Sequence, residues 1–152
     1  MFRPELIDAK ETYPLRQSVL RPTLTIDQVG MEHDDLETSF HVGARCTDTG
    51  NILAIMTVMR DPLPDRTTGT GLMAWRIRGM ASHPEARGTG AGGAVLAFGM
   101  AHAWSRHNDL IWCNARRVAY GFYERYGFEI VSDEFEIEGI GPHKVMVRQT
   151  DR

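Results

Sequence analysis

The run Arg87-Gly88-Thr89-Gly90-Ala91-Gly92 lies between a strand-like segment and a long helix of small residues. Glycine costs a helix interior about 1 kcal/mol relative to alanine. A helix that opens on Gly88, Gly90, Gly92 and Gly93 therefore needs a reason. Backbone without Cβ atoms lets a ligand come close, and the first amides of a helix have no internal acceptor. Together with the helix dipole they form an anion site, typically for phosphate. Arg87 leads the run and adds a charge-assisted donor. The chemistry these residues suit is the cradling of a pyrophosphate.

Three pyrophosphate ligands compete. A P-loop needs Gly-Lys-Ser/Thr after its glycines; here the chain reads Gly92-Gly93-Ala94-Val95, and that reading fails. A dinucleotide fold matches literally, since Gly88 to Gly93 spells G-x-G-x-x-G. That pattern should follow a strand directly, with an acid about 20 residues on for the ribose. Instead the polar stretch Ser82 to Arg87 intervenes, and the expected acid position falls on Cys113-Asn114. Coenzyme A is the third ligand.

The rest of the composition sets bounds. A chain of 152 residues suits one domain, residues 1–152, with a real core. A net charge of -3 gives no overall electrostatic case for nucleic acid. The two cysteines, Cys46 and Cys113, have no metal-type spacing and suggest neither a disulfide framework nor a metal site. A reduced, cytoplasmic setting follows as the simple expectation. Met1 to Glu5 leads into no apolar signal core, and no apolar run is long enough for a membrane span.

Several elements must position the glycine loop. A short first strand is expected around Leu6 to Ala9, and a helix over Tyr13 to Arg21 closed by Pro22. Strands are expected at Phe40 to Cys46, at Asn51 to Met59 after the turn Asp48-Thr49-Gly50, and at Leu72 to Ala81. Asp61 to Thr70 reads as a loop. Helix Gly90 to Arg106 follows, then a strand at Leu110 to Cys113, and a helix Val118 to Tyr126 ended by Gly127. Phe128 to Val131 and Lys144 to Arg148 read as late strands, joined by a long acidic connection, Asp133 to His143. This order implies an α/β fold with a mixed sheet and helices on its faces. Trp75, Trp104 and Trp112 are expected to serve the core, and Cys113 to be a buried thiol.

The loop also fits Arg/Gln-x-x-Gly-x-Gly/Ala, and further on Asn114 to Phe128 reads Asn-x(4)-Ala-x-x-Phe-Tyr-x-x-x-Gly-Phe. In this order and at this separation the two motifs resemble the GNAT superfamily of acyl-CoA-dependent N-acyltransferases. Leu72 to Ala81 with Ser82-His83-Pro84-Glu85 resembles that family's fourth strand and its exit loop. Tyr13 to Arg21 and Ile140 to Met146 resemble a bacterial subgroup of unassigned substrate.

The resemblance implies a mixed, mostly antiparallel central sheet flanked by helices. It implies acetyl or short-acyl transfer from acetyl-CoA to a primary amine in a ternary complex, with no metal. Backbone groups of Met80 and Ala81 would pair with the pantetheine arm. The amides of Arg87, Gly88, Thr89, Gly90, Ala91 and Gly92 would hold the pyrophosphate. Asn114 would bond the cofactor or brace the following helix, and Phe122 would lie along the pantetheine. Tyr123 matches the tyrosine near the thioester sulfur, a general acid for the departing thiolate. The incoming amine must also lose a proton. His41 and His143 are candidate bases because histidine titrates near neutrality; Glu37 and Asp34 are further candidates. A small-molecule or peptide amine is the expected partner, and a homodimer is compatible with paired sheet edges. The acidic runs Glu32 to Glu37 and Asp133 to Glu138 would suit a cationic acceptor, although such runs ordinarily make solvated faces. An alternative function is a non-catalytic acyl-CoA-binding sensor, which needs the loop but neither acid nor base.

Overall fold

The computed structural model describes residues 1–64 and 73–150. Its centre is one eight-stranded sheet in the order β1-β2-β3-β4-β5-β8-β6, with β7 also paired to β8. The strands are β1 (Phe2–Ile7), β2 (Phe40–Cys46), β3 (Ile52–Arg60), β4 (Trp75–Ser82), β5 (Ile111–Arg116), β6 (Glu129–Ile130), β7 (Phe135–Ile137) and β8 (Gly141–Arg148). Only β4 and β5 run parallel; all other pairs are antiparallel. This is the mixed sheet the element order implies, and the mostly antiparallel one the family resemblance implies.

Helix α1 (Ala9–Leu15) lies on one face and α2 (Ala91–Arg106) on the other. The main core fills the α2 face. There Val95, Leu96, Met100 and Ala103 meet Val42, Met56, Val58, Trp75 and Ile77. Residues at i, i+4 and i+8 on α2 share one face, and Gly99 within that stripe lets the helix approach closely. A Cβ there would stand 1.9 Å from Met56 Cε. On the α1 face a smaller cluster joins Ile7, Leu15, Ile55 and Ala81. A short helix α3 (Tyr120–Arg125) follows β5 and adds Tyr123 to the α2-side core.

The three tryptophans are structural, as expected. Their indole N–H groups donate to backbone carbonyls: Trp75 to His107, Trp104 to Asp109, Trp112 to Asp61. Cys113 is buried and free.

Three boundaries differ from the sequence expectation. β1 begins at Phe2 and ends at Ile7, because Phe2, Pro4 and Leu6 alternate with Arg3 and Glu5 on an edge strand, where proline is tolerated. The first helix begins at Ala9, since Asp8 and Glu11 form a capping box in which Glu11 Oε2 accepts from the Asp8 N–H at 2.9 Å. It continues as a π-helical turn over Arg16–Leu20. Third, the acidic connection after β6 contains β7, whose Phe135-Glu136-Ile137 alternation returns through Gly139 and Gly141 into β8. The expected loop up to Thr70 and the Leu72 start of the third strand fall in part outside the described residues.

Candidate active site

The site starts from a defect in the sheet. β4 pairs with β5 only at Trp75↔Ile111, Arg76↔Trp112 and Ile77↔Cys113. Beyond Ile77 the two strands separate, although β4 runs on to Ser82 and β5 to Arg116. On its other side β4 slips register against β3 between Ile55 and Thr57. The slip is a bulge at Gly79, whose φ of +62° only glycine adopts freely.

The bulge turns the following side chains over. Without it, Met80 would share a face with Arg76 and Arg78. With it, Met80 and Ser82 point to the α2 face, where both border Gly92, while Gly79 faces Arg16 and Met31 on the α1 side. One extra residue thus aims the end of β4 at the first turn of α2, and on the β5 side the edge from Arg78 to Ser82 has no strand beside it among the described residues.

The glycine loop closes this wedge. After a 3-10 turn at Pro84–Ala86, Gly88 and Gly90 take φ of +81° and +91°, and Gly90 caps α2 in a left-handed conformation. Thr89 braces the turn by donating from its hydroxyl to Ala86 O. The N–H groups of Gly88, Gly90, Gly92 and Gly93 have no protein acceptor among the described residues, so four donors are left open around a helix N-terminus. Arg87 is exposed beside them. A Cβ on Gly92 would stand 3.0 Å from Ser82 Oγ, 3.7 Å from Phe122 Cε1 and 3.8 Å from Met80 Cε. Gly92 is therefore where loop, β4 and α3 meet.

Residues 40–130 match the family model described as "Acetyltransferase (GNAT) domain". The chain is 31% identical over 148 residues to YitI of Bacillus subtilis (strain 168), an uncharacterized N-acetyltransferase, covering 97% of this chain and 96% of that one. Among solved structures, a GCN5-related N-acetyltransferase from Kribbella flavida superposes with a TM-score of 0.72 at 19% identity, covering 97% of both chains. An aminoglycoside 6'-N-acetyltransferase complexed with coenzyme A superposes with a TM-score of 0.70 at 12% identity, covering 95% of each. The chain belongs to the GNAT acetyltransferases. Acyltransferases of this family take the acyl group from a coenzyme A thioester, which sets the sensor alternative behind the enzyme reading.

The residues of this GNAT chain fit such a donor on two observations. The Gly92 cradle has room that any Cβ would fill. At the other lip of the wedge, Asn114 Oδ1 is buried without a hydrogen-bond partner among the described residues, an acceptor left open where buried polar groups are normally paired.

Tyr123 is buried, and its hydroxyl meets the thiol of Cys113, the last β5 residue paired with β4. That puts the phenol at the apex of the wedge. Burial raises its pKa well above the usual tyrosine value, with the adjoining Cys113 adding to the shift. Burial likewise pushes the Cys113 thiol up to about 12. Both groups hold their protons near neutrality. Phe122 lies edge-on to Tyr123 and faces Gly92.

The two histidines differ. His41 Nδ1 lies 2.8 Å from Thr57 Oγ1 and Nε2 lies 3.1 Å from Asp34 O. A carbonyl only accepts, so Nε2 carries the proton, and Nδ1 takes the Thr57 hydroxyl hydrogen. His41 is left with no free lone pair. It belongs to a buried network in which Arg16 grips Asp34 at 2.8 and 2.9 Å and donates to Thr57 Oγ1 at 2.7 Å. Burial works against the Asp34 carboxylate, but hydrogen bonds from Arg16 and the Met31 N–H hold its pKa below the ordinary value. His143 Nδ1 lies 2.8 Å from Gly141 O. By the same logic Nδ1 is protonated, and Nε2 has no hydrogen-bond partner among the described residues. His143 sits across from Arg116 in the β5–β8 register, on the face opposite α2. Glu37 is exposed.

The sequence reading passed over two residues. Ser82 forms a wall of the crevice, and its sign was only its place at the end of β4. Tyr126 presents its hydroxyl to the first turn of α2, where a Cβ on Gly93 would lie 1.8 Å from Tyr126 Oη. The spacing Phe122-x-x-x-Tyr126 puts both rings on one helix face, and they contact each other at 5.3 Å.

Proposed function

We propose that this protein transfers an acetyl or other short acyl group from acetyl-CoA to a primary amine, directly, with donor and acceptor bound together. The observation that carries the reading is the wedge. It has an unpaired strand edge, a four-amide cradle at its mouth and a protonated phenol at its apex. Acetyl-CoA, when bound, would supply the thioester, and the chain's residues do the rest.

The backbone of Met80 and Ala81 offers a strand edge to the extended pantetheine arm, as in β-strand addition. The amides of Gly88, Gly90, Gly92 and Gly93 hold the pyrophosphate, with Arg87 and Tyr126 Oη adding donors at the rim. Asn114 Oδ1 accepts an N–H from the arm or the acceptor. Phe122 fills the space beside Gly92. An N–H on the β4 edge polarises the thioester carbonyl. Tyr123 gives its proton to the departing sulfur, a role that requires a phenol protonated at working pH. His143 Nε2 receives the amine proton. His41 and Asp34 fix Arg16 under the bulge and so hold β4 in shape.

The test is calorimetric titration with acetyl-CoA, coenzyme A and NAD, followed by CoA-release rates over an amine panel. The reading requires acetyl-CoA and CoA to bind, NAD not to bind, and at least one amine to accelerate CoA release. Binding of NAD alone refutes it. Tight CoA binding with no amine turned over favours the sensor.

A further inference from the structure

Among the described residues, the α1 face of the wedge carries more positive charge than its carboxylates neutralise. Arg76 and Arg78 project from β4 on this side. Arg76 is bonded to Asp61 at 3.0 Å and Arg16 to Asp34 at 2.8 Å. Arg78, half-buried beside them, has no hydrogen bond or ion pair among the described residues. The charges acting on it are Arg76 and Arg16, of like sign, and Asp34 and Asp61, both already engaged. Three guanidinium groups thus face two carboxylates. Arg16 Nε is a further buried donor with no acceptor among the described residues, next to the Gly79 bulge. Across the wedge, half-buried Arg116 donates to Leu20 O and, among the described residues, has no ion pair, while Arg21 nearby is of like charge.

Burying a guanidinium without a counter-charge is costly, and here burial and like-charged neighbours lower the Arg78 pKa. An arginine kept in that position suits a ligand that brings the missing negative charge. The glycine cradle opens on the α2 side, at Met80, Ser82 and Gly92, so the donor's phosphates do not serve this face. The acidic runs that would have suited a cationic acceptor are partly committed as well: Asp34 to Arg16, Glu134 to Arg117.

We propose that Arg78 binds an anionic group on the amine acceptor, so that the substrate is an amine bearing a carboxylate, as in an amino acid, and not a polyamine. The planar fork of arginine holds such a group by two parallel bonds. This rests on the acyltransferase reading above. A phosphate would satisfy the same chemistry, and the substrate panel separates the two.

The experiment measures CoA release at saturating acetyl-CoA with the twenty amino acids, their carboxamides, O-phosphoethanolamine and ethanolamine. In parallel, saturation-transfer NMR follows binding of the same amines to the CoA-saturated protein. At least one amino acid should exceed its carboxamide tenfold or more in kcat/KM. Arg78→Gln should abolish that advantage through KM, Arg78→Lys should restore part of it, and acetyl-CoA affinity should stay unchanged in both. Preference for O-phosphoethanolamine over every amino acid would overturn the carboxylate in favour of a phosphate. Carboxamides used as well as acids, equal losses on both in Arg78→Gln, or no contact with any anionic amine would overturn the site itself. Failure of acetyl-CoA to bind the unmodified protein would instead overturn the acyltransferase reading.

Discussion

Gly92→Ala separates what the glycine loop does for ligand from what it does for the fold. Gly92 is the second residue of α2 and has helical backbone angles. Alanine there gains up to about 1 kcal/mol of helix propensity, less so close the helix end. Against this, the new methyl stands 3.0 Å from Ser82 Oγ, a contact that one rotation about the serine χ1 relieves. The two effects nearly cancel, so the melting temperature should change by no more than about 2–4 °C. The methyl nevertheless enters the crevice between α2, β4 and Phe122, where the ligand must approach the backbone. Acetyl-CoA affinity, measured by calorimetry, should fall at least tenfold, or about 1.4 kcal/mol. Gly90→Ala supplies the contrast. Its Cβ would meet nothing within 4 Å, but its φ is +91°, and a left-handed non-glycine residue costs about 1–2 kcal/mol. It should lower stability visibly. A Gly92→Ala variant that binds acetyl-CoA as the unmodified protein does would refute the crevice as the cradle.

Tyr123→Phe should lower kcat by about ten- to a hundredfold, the lower part of the range for general acid–base catalysis, with the KM for acetyl-CoA little changed. The unmodified enzyme should show no alkaline loss of rate from this phenol up to about pH 10, the ordinary tyrosine range, because its pKa lies well above it; a full-rate variant would remove Tyr123 from the chemistry. Asp34→Ala strips a buried arginine of its partner and should cost about 3–5 kcal/mol in denaturant unfolding. Because the folded Asp34 pKa is depressed, its stabilisation is complete above the unfolded value near ~3.9 and fades as pH falls through the folded one. Asp34→Asn should therefore flatten the stability profile below about pH 4. Gly99→Ala should destabilise by crowding Met56, which is fully buried, yet should stabilise in a Met56→Ala background. A double-mutant cycle by chemical denaturation measures that change of sign.

What the sequence shows clearly follows from how local each signal is. The glycine loop, the long helix after it and the interior strands β2, β3 and β5 are set by short-range patterns and appear within a few residues of where they were expected. The edge strands were harder. β1 and β7 mix charged residues with apolar ones because only one flank is paired, and Phe135-Glu136-Ile137 lies in a run that reads as acidic loop. The Gly79 bulge has no local signature beyond a glycine in a strand, yet it decides which face Met80 and Ser82 occupy. The same limit governed the candidate bases. His41 and His143 look alike in the sequence. They part company only once Thr57 and the Asp34 carbonyl close around His41, while the Gly141 carbonyl takes just one nitrogen of His143.

Charge shows most plainly why acceptor chemistry hides from a linear reading. Counted along the chain, the stretches around Asp34 and Glu134 are acidic and invite a cationic substrate. Counted in space, these carboxylates answer Arg16 and Arg117, residues 18 and 17 positions away in sequence, and Asp61 answers Arg76. Each pair is nearly neutral at a distance. What remains on the α1 face of the wedge is the residue with no partner among the described residues, Arg78. A run of like charges says how many ions the fold must accommodate. The field a substrate meets comes from the ions the fold leaves over, and on this face they are positive.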